Sequence, residues 1–162
     1  MSIVTLDLHT LVLNLLSPIL RTSSLILRAA GLCNMSQPDK WERERMEKEV
    51  RKKLEYEFGV PLPERSLAVV DGVQHKFDLA SEDGSIIGEI KTSGENVTTF
   101  QPTRLRAIWG DLSRDCLLLL ARTGAQKRIL ALTNAYIYAE FRKSQQGRAA
   151  KALGIVIRHI PA

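Results

Sequence analysis

The segment HKFDLASEDGSIIGEIKT, residues 75–92, constrains the fold more than any other part of the chain. Asp83-Gly84 is a two-residue turn signal, and the runs on either side of it have the alternating pattern of hairpin strands. A turn at that dipeptide pairs Glu82 with Ser85, and the register then sets Ala80 against Ile87, Asp78 against Glu89 and Lys76 against Lys91. Successive side chains point to opposite faces of a strand, so Phe77, Leu79, Ile86 and Ile90 form one apolar face that belongs to a core. The other face carries Asp78, Glu89 and Lys91. A slip of one residue would invert every one of these assignments.

Directly opposed side chains in an antiparallel pair have Cβ atoms about 4.5–5.5 Å apart, where like charges weaken the pairing. Asp78 and Glu89 are expected in that relation, so something must offset their repulsion. A hard divalent cation does so directly, since Mg²⁺ binds one or two carboxylates and keeps several waters. Lys91 adds a positive charge on the same face, suited to orienting an attacking water or steadying charge that grows on a phosphate. The plain alternative is a solvated hairpin face with scattered charges. Against it, Ala80 and Ile87 flank the acids, so the face is not simply wet.

Residues 39–58 read as a helix, with Asp39 as N-cap and Gly59 and Pro61 ending it. Met46, Val50, Leu54 and Phe58 recur every four residues as the buried stripe. Glu47 falls inside the arc of that stripe, where an unpaired carboxylate is costly; the alternative is a rim position that reaches water. Three β-like runs follow, Ser66–Asp71, Lys76–Ser81 and Ile86–Thr92, with Asp71-Gly72 as a further turn. A helix is expected from Pro102 to about Ser113, with Leu105, Ile108, Trp109 and Leu112 as its apolar face. Strands are expected at Leu117–Ala121, Arg128–Thr133 and Ile155–Ile160, and a third helix from an Asn134 cap to Gln146 or beyond. The order α-β-β-β-α-β-β-α-β describes a mixed α/β domain.

Composition bounds this picture. The 162 residues, 44% hydrophobic and 25% charged, suit one globular domain and exclude a disordered chain. Residues 1–35 look separate: an apolar extension outside the fold, with the domain over 36–162. An upstream mis-start before Met35, a transit peptide and a membrane-surface anchor using residues 8–30 are the readings open for it. The longest uncharged run, Leu8–Leu20, is too short to span a bilayer, and no stable membrane association is expected. Cys33 and Cys116 match no zinc spacing and read as reduced thiols, which makes the cytoplasm the expected compartment. His9, His75 and His159 are scattered and suggest no site. Residues 35–94 hold 10 basic and 13 acidic side chains, whereas residues 95–162 hold 11 basic and 4 acidic. A basic surface from the last third would suit a polyanion such as nucleic acid; an ordinary solvated surface is the alternative.

The pattern FD at 77–78, a hairpin, and EIK at 89–91 resembles the PD-(D/E)xK nuclease superfamily, with its restriction-endonuclease-like fold. Phe77 stands where the motif has proline, a position that varies. The resemblance covers roughly residues 41–121 and implies a mixed central β-sheet flanked by helices, with an α-β-β-β-α-β core. It implies that Asp78 and Glu89 bind Mg²⁺ or Mn²⁺ and that Lys91 handles the water or the phosphate. It adds a helix glutamate, Glu47, followed by the aliphatics Val50 and Leu54, with Glu49 as fallback. It points to Thr103, Arg104 and Arg106 as nucleic-acid-binding residues. Arg128, Arg142, Lys143, Arg148 and Lys151 are candidates by charge alone. The implied function is a metal-dependent nuclease or endonuclease, a hydrolase of nucleic acid with DNA as the expected substrate and a homodimer among its assemblies. The alternative is an inactive member of the fold that binds nucleic acid or a protein partner.

Overall fold

A computed structural model describes residues 40–70, 72–92 and 102–162, with the side chains of residues 102 and 103 excepted. All of them belong to one compact unit, residues 36–162. Asp39, the expected cap, and the readings of residues 1–35 lie outside the described residues. Among the described residues no helix is long and apolar enough to cross a membrane.

The first helix, α1, runs Lys40–Phe58 and buries Met46, Val50 and Leu54, three of the four stripe positions; Phe58 is half-buried. Each such burial contributes about 1.5–3 kcal/mol. Gly59 ends the helix at φ 68°, its N–H donating to Glu55 O at 2.8 Å. The Glu55 carboxylate then accepts from Leu62 N–H at 2.8 Å and fixes the proline-containing connector.

Two sheets follow. Strands β1 (Arg65–Ala68) and β2 (Gln74–Phe77) form an antiparallel pair. Strands β3 (Leu79–Ala80), β4 (Ile86–Lys91), β5 (Lys127–Leu132) and β6 (Ile155–His159) form the main sheet in that order. β3 and β4 are antiparallel, and β4, β5 and β6 are parallel. Helix α2 (Pro102–Ala121) connects β4 to β5, and α3 (Ala135–Lys143) and α4 (Gln145–Ala152) connect β5 to β6. The chain is therefore a mixed α/β protein with a mixed sheet flanked by helices.

The main sheet is buried on both sides. Ile129 and Ala131 of β5 pack with Val50 and Leu54 of α1, Leu79 and Ile90. Leu130 and Leu132 pack with Leu112, Cys116 and Leu119 of α2 and with Ile137 and Phe141 of α3. Burial raises the Cys116 thiol to about 12, so it is an inert core group.

Three expectations need correction. The run Lys76–Ser81 is not one strand: the chain bends at Asp78, and β2 and β3 enter different sheets. Phe77 consequently packs with Ala80 and Ile87 on the α2 side, not with Leu79 and Ile90. Lys76 faces Ser66 rather than Lys91 and pairs with Glu64. Leu117–Ala121 is the last part of α2, not a strand; a short apolar run does not by itself separate a buried strand from a buried helix. The third helix breaks at Ser144, whose Oγ donates to Phe141 O at 2.7 Å and accepts from Gly147 N–H at 3.0 Å. The expected Asn134 cap is present, its side chain accepting from Ile137 N–H at 2.9 Å.

Candidate active site

The expected hairpin register holds where β3 meets β4, with Ala80 opposite Ile87 and Leu79 opposite Gly88. Its turn is wider than two residues: Ser81 N–H donates to Ile86 O at 2.9 Å, and Gly84 N–H donates to Ser81 O at 3.0 Å. Asp83 Oδ1 ties this turn by accepting from Ser81 Oγ at 2.6 Å and from Ser85 N–H at 3.0 Å. Those bonds hold the Asp83 carboxyl at about 2. Beyond Leu79 the ladder stops, so the expected strand pairing of Asp78 with Glu89 does not form. The next inward-facing donor, Ile90 N–H, goes to Asp78 Oδ2 at 2.9 Å. A side chain thus satisfies the Ile90 N–H that a continued strand would have paired.

That bond brings Asp78 against Glu89. Glu89 is 6% exposed, and its carboxyl is raised to about 9 by burial first, then by the charges of Asp78 and Asp115 and a hydrogen bond with Asp78. The backbone beside it has no room to adjust. A Cβ on Gly88 would lie 2.9 Å from Leu79 Cδ1 and 3.0 Å from Ile129 O, so only glycine lets β4 lie this close to its neighbours.

Glu47 faces the same cluster from α1. It is half-buried, and its carboxyl is raised by burial, by Asp78 and by Glu64. Arg51, one turn further along α1, donates to Asp78 O at 3.2 Å and fixes the bend to the helix. Glu47, Asp78, Glu89 and Lys91 therefore occupy one region, drawn from a helix, a bend and a strand.

Two members were not expected. His75 Nε2 lies 2.8 Å from Glu89 Oε1. Burial lowers the imidazole and outweighs the opposing influence of Asp115 and Asp78, and burial raises the Glu89 carboxyl, so burial works against an ion pair at this contact. Asp115 of α2 is 3% exposed and places Oδ2 2.9 Å from Lys91 Nζ. That contact is an ion pair without the alignment of a hydrogen bond, and Oδ2 has no other partner. Its only sequence signal is an acid at the head of an apolar run, Asp115 in DCLLLL. His75 gives even less, because its partner lies fourteen residues away on a strand of the other sheet.

The expected nucleic-acid residues are less assembled. Arg104 is half-buried and Arg106 exposed, both on α2; the Thr103 side chain lies outside the described residues. Arg128 is structural, donating to Leu119 O at 2.9 Å and Arg122 O at 3.0 Å.

Asp78 and Glu89 offer carboxylate oxygens, and the repulsion that would arise with both ionised is one a cation would relieve. Among the described residues no group of three or more His, Cys, Asp or Glu is arranged to hold a metal ion. The ligands that Asp78 and Glu89 could offer are two carboxylates, a donor set of hard oxygens.

No protein-family model, no curated protein and no solved structure matches the chain.

Proposed function

We propose that the chain is a metal-dependent nuclease of the restriction-endonuclease-like type, hydrolysing phosphodiester bonds of nucleic acid, with DNA as the expected substrate. The reading rests on one observation: the Asp78 carboxylate, held by Ile90 N–H, lies beside buried Glu89 and raises its carboxyl, with Lys91 next along the strand on the same face. The helix–meander–helix–strand order around that pair supports the fold assignment.

Asp78 and Glu89 would hold Mg²⁺ or Mn²⁺, which supplies Lewis acidity at the scissile phosphate. Glu89 gives up its proton to do so, and His75, held at 2.8 Å, then donates to it and fixes its orientation. Lys91 is a third exposed, so its ammonium can meet an incoming phosphate or water while Asp115 holds it from behind. Glu47 adds an acid from the helix side that can accept a proton from water.

A second reading, an inactive module of the same fold, has its own support. Each central group already has a protein partner: Glu89 has His75, Asp78 has Ile90 N–H, and Lys91 has Asp115. Such a cluster is self-consistent without an ion.

Incubation with labelled single- and double-stranded DNA and RNA, with and without Mn²⁺, separates the two. Metal-dependent cleavage that disappears in Asp78→Ala, Glu89→Gln and Lys91→Ala, with circular dichroism unchanged, supports the nuclease. Cleavage retained in a clean Asp78→Ala preparation contradicts the assignment. No cleavage of any substrate, together with no Mn²⁺ binding, selects the module.

A further inference from the structure

A second feature lies at β6, the far edge strand of the main sheet, three strands away from β3. A cavity of about 440 Å³ opens between β6 and the α3–α4 corner, with Tyr138, Arg142, Arg148 and Lys151 among its lining. Its floor is apolar, from Ile155 to Ile157, and none of its lining residues is acidic.

The corner itself creates this concentration of charge. α3 and α4 meet with almost no linker because Ser144 caps both. Gly147 permits the turn: a Cβ there would lie 1.9 Å from Phe141 O, a contact no side chain can make. Folding the helices back in this way brings Arg142, from the end of α3, and Arg148, from α4, to one cavity. Both are oriented. Arg142 donates to Tyr138 OH at 2.9 Å and lies 5.2 Å above that ring, and Arg148 donates to Lys143 O at 2.6 Å. Each guanidinium keeps further donors for a ligand. Glu140, the nearby acid of α3, is paired with Lys143. Among the described residues Arg142, Arg148 and Lys151 form no ion pair.

We infer that the α3–α4 corner and β6 form a second nucleic-acid contact, which grips the phosphodiester backbone through Arg142, Arg148 and Lys151. Oriented guanidinium groups match phosphate oxygens in geometry and charge. The ring of Tyr138 is already covered by Arg142 and tilted against His159 at 5.6 Å, so a base has no free aromatic face there. The contact is therefore with backbone and independent of sequence. It stands apart from the carboxylate cluster and does not depend on that cluster being catalytic.

The test is fluorescence anisotropy of a labelled mixed-sequence duplex with the full chain in EDTA, over a range of salt. Each phosphate contact contributes about −0.9 to the slope of log K against log salt. The variant Arg142→Ala/Arg148→Ala/Lys151→Ala is expected to bind at least tenfold more weakly near 0.1 M salt and to lose about 2–3 from the magnitude of the slope. Lys151→Glu, at an exposed position whose side chain makes no hydrogen bond or ion pair among the described residues, is expected to weaken binding in the same direction and guards against misfolding of the triple variant. Lys48→Ala/Lys52→Ala on α1 controls for net charge and is expected to do less. Unchanged slopes in both corner variants, or an equal effect from the α1 variant, overturn the proposal. So does saturable binding of inorganic phosphate at the corner without any duplex binding. Absence of wild-type cleavage in the Mn²⁺ assay, with binding and slopes as expected here, counts against the nuclease reading alone.

Discussion

His75 Nε2 and Glu89 Oε1 lie 2.8 Å apart, joining a strand of the small sheet to a strand of the main one. Both groups are pushed by burial toward their neutral forms, the imidazole downward and the carboxyl up to about 9. Burial therefore works against an ion pair here, and His75 becomes a directed donor to a carboxylate once Glu89 ionises.

Replacing His75 tests that role. Partners that orient a metal-binding side chain typically contribute about 10–100-fold to affinity or activity. His75→Ala is expected to lower Mn²⁺ affinity and cleavage by that order, and His75→Gln, which keeps a donor, to recover part of the loss. Equal affinity in wild type and His75→Ala would remove His75 from the site.

The raised carboxyl also predicts a direction for stability. The folded state keeps the Glu89 proton to about 9, whereas an unfolded glutamate releases it near 4.5. Between those values the unfolded state binds fewer protons, so this group's contribution declines as pH rises through the window. Glu89→Gln removes the decline. Thermal unfolding without metal at pH 5, 7 and 9 should show the variant gaining on wild type at each step. His75 acts with the opposite sign: its lowered folded value reduces stability as pH falls through its unfolded value of 6.5.

Asp115 should matter to Lys91 more than to the fold of α2. Asp115→Asn keeps the shape but leaves the ammonium, now 2.9 Å from a carboxylate, without its counter-charge. Steady-state kinetics on a cleaved substrate should show kcat reduced at least tenfold with KM little changed, as expected for an interaction made mainly in the transition state. A change in KM alone would assign Asp115 to substrate binding.

Gly88 is a test of packing. Gly88→Ala must push apart Leu79 and the β5 backbone, at a cost of about 1–3 kcal/mol. Denaturant unfolding should report that loss with an unchanged m-value. A neutral substitution would mean that β4 can move away from β5.

Much of this arrangement was legible in residues 75–92. The Asp83-Gly84 signal places the turn, and the pairing of Ala80 with Ile87 follows from it. The four-residue spacing of Met46, Val50 and Leu54 gives the buried face of α1, and with it the inward position of Glu47. The bend at Asp78 was not legible, because alternation continues through it unchanged while the chain changes sheets. That bend carries Phe77 into the other core layer and leaves Lys76 beside Glu64. Asp115 was hidden by the ambiguity of an apolar run that serves a strand or a helix equally well. His75 was hidden because its contact depends on how two sheets meet, which no local pattern encodes.

The central claim is that Asp78 and Glu89 together hold a divalent cation. Calorimetric titration of the full chain with Mn²⁺, repeated at one pH in two buffers of different ionisation enthalpy, tests it most directly. The expected result is saturable binding with release of close to one proton near pH 7, since Glu89 must ionise to bind, and loss of that binding in Asp78→Ala and Glu89→Gln. No saturable binding at millimolar Mn²⁺, or binding that survives both substitutions unchanged, would contradict it.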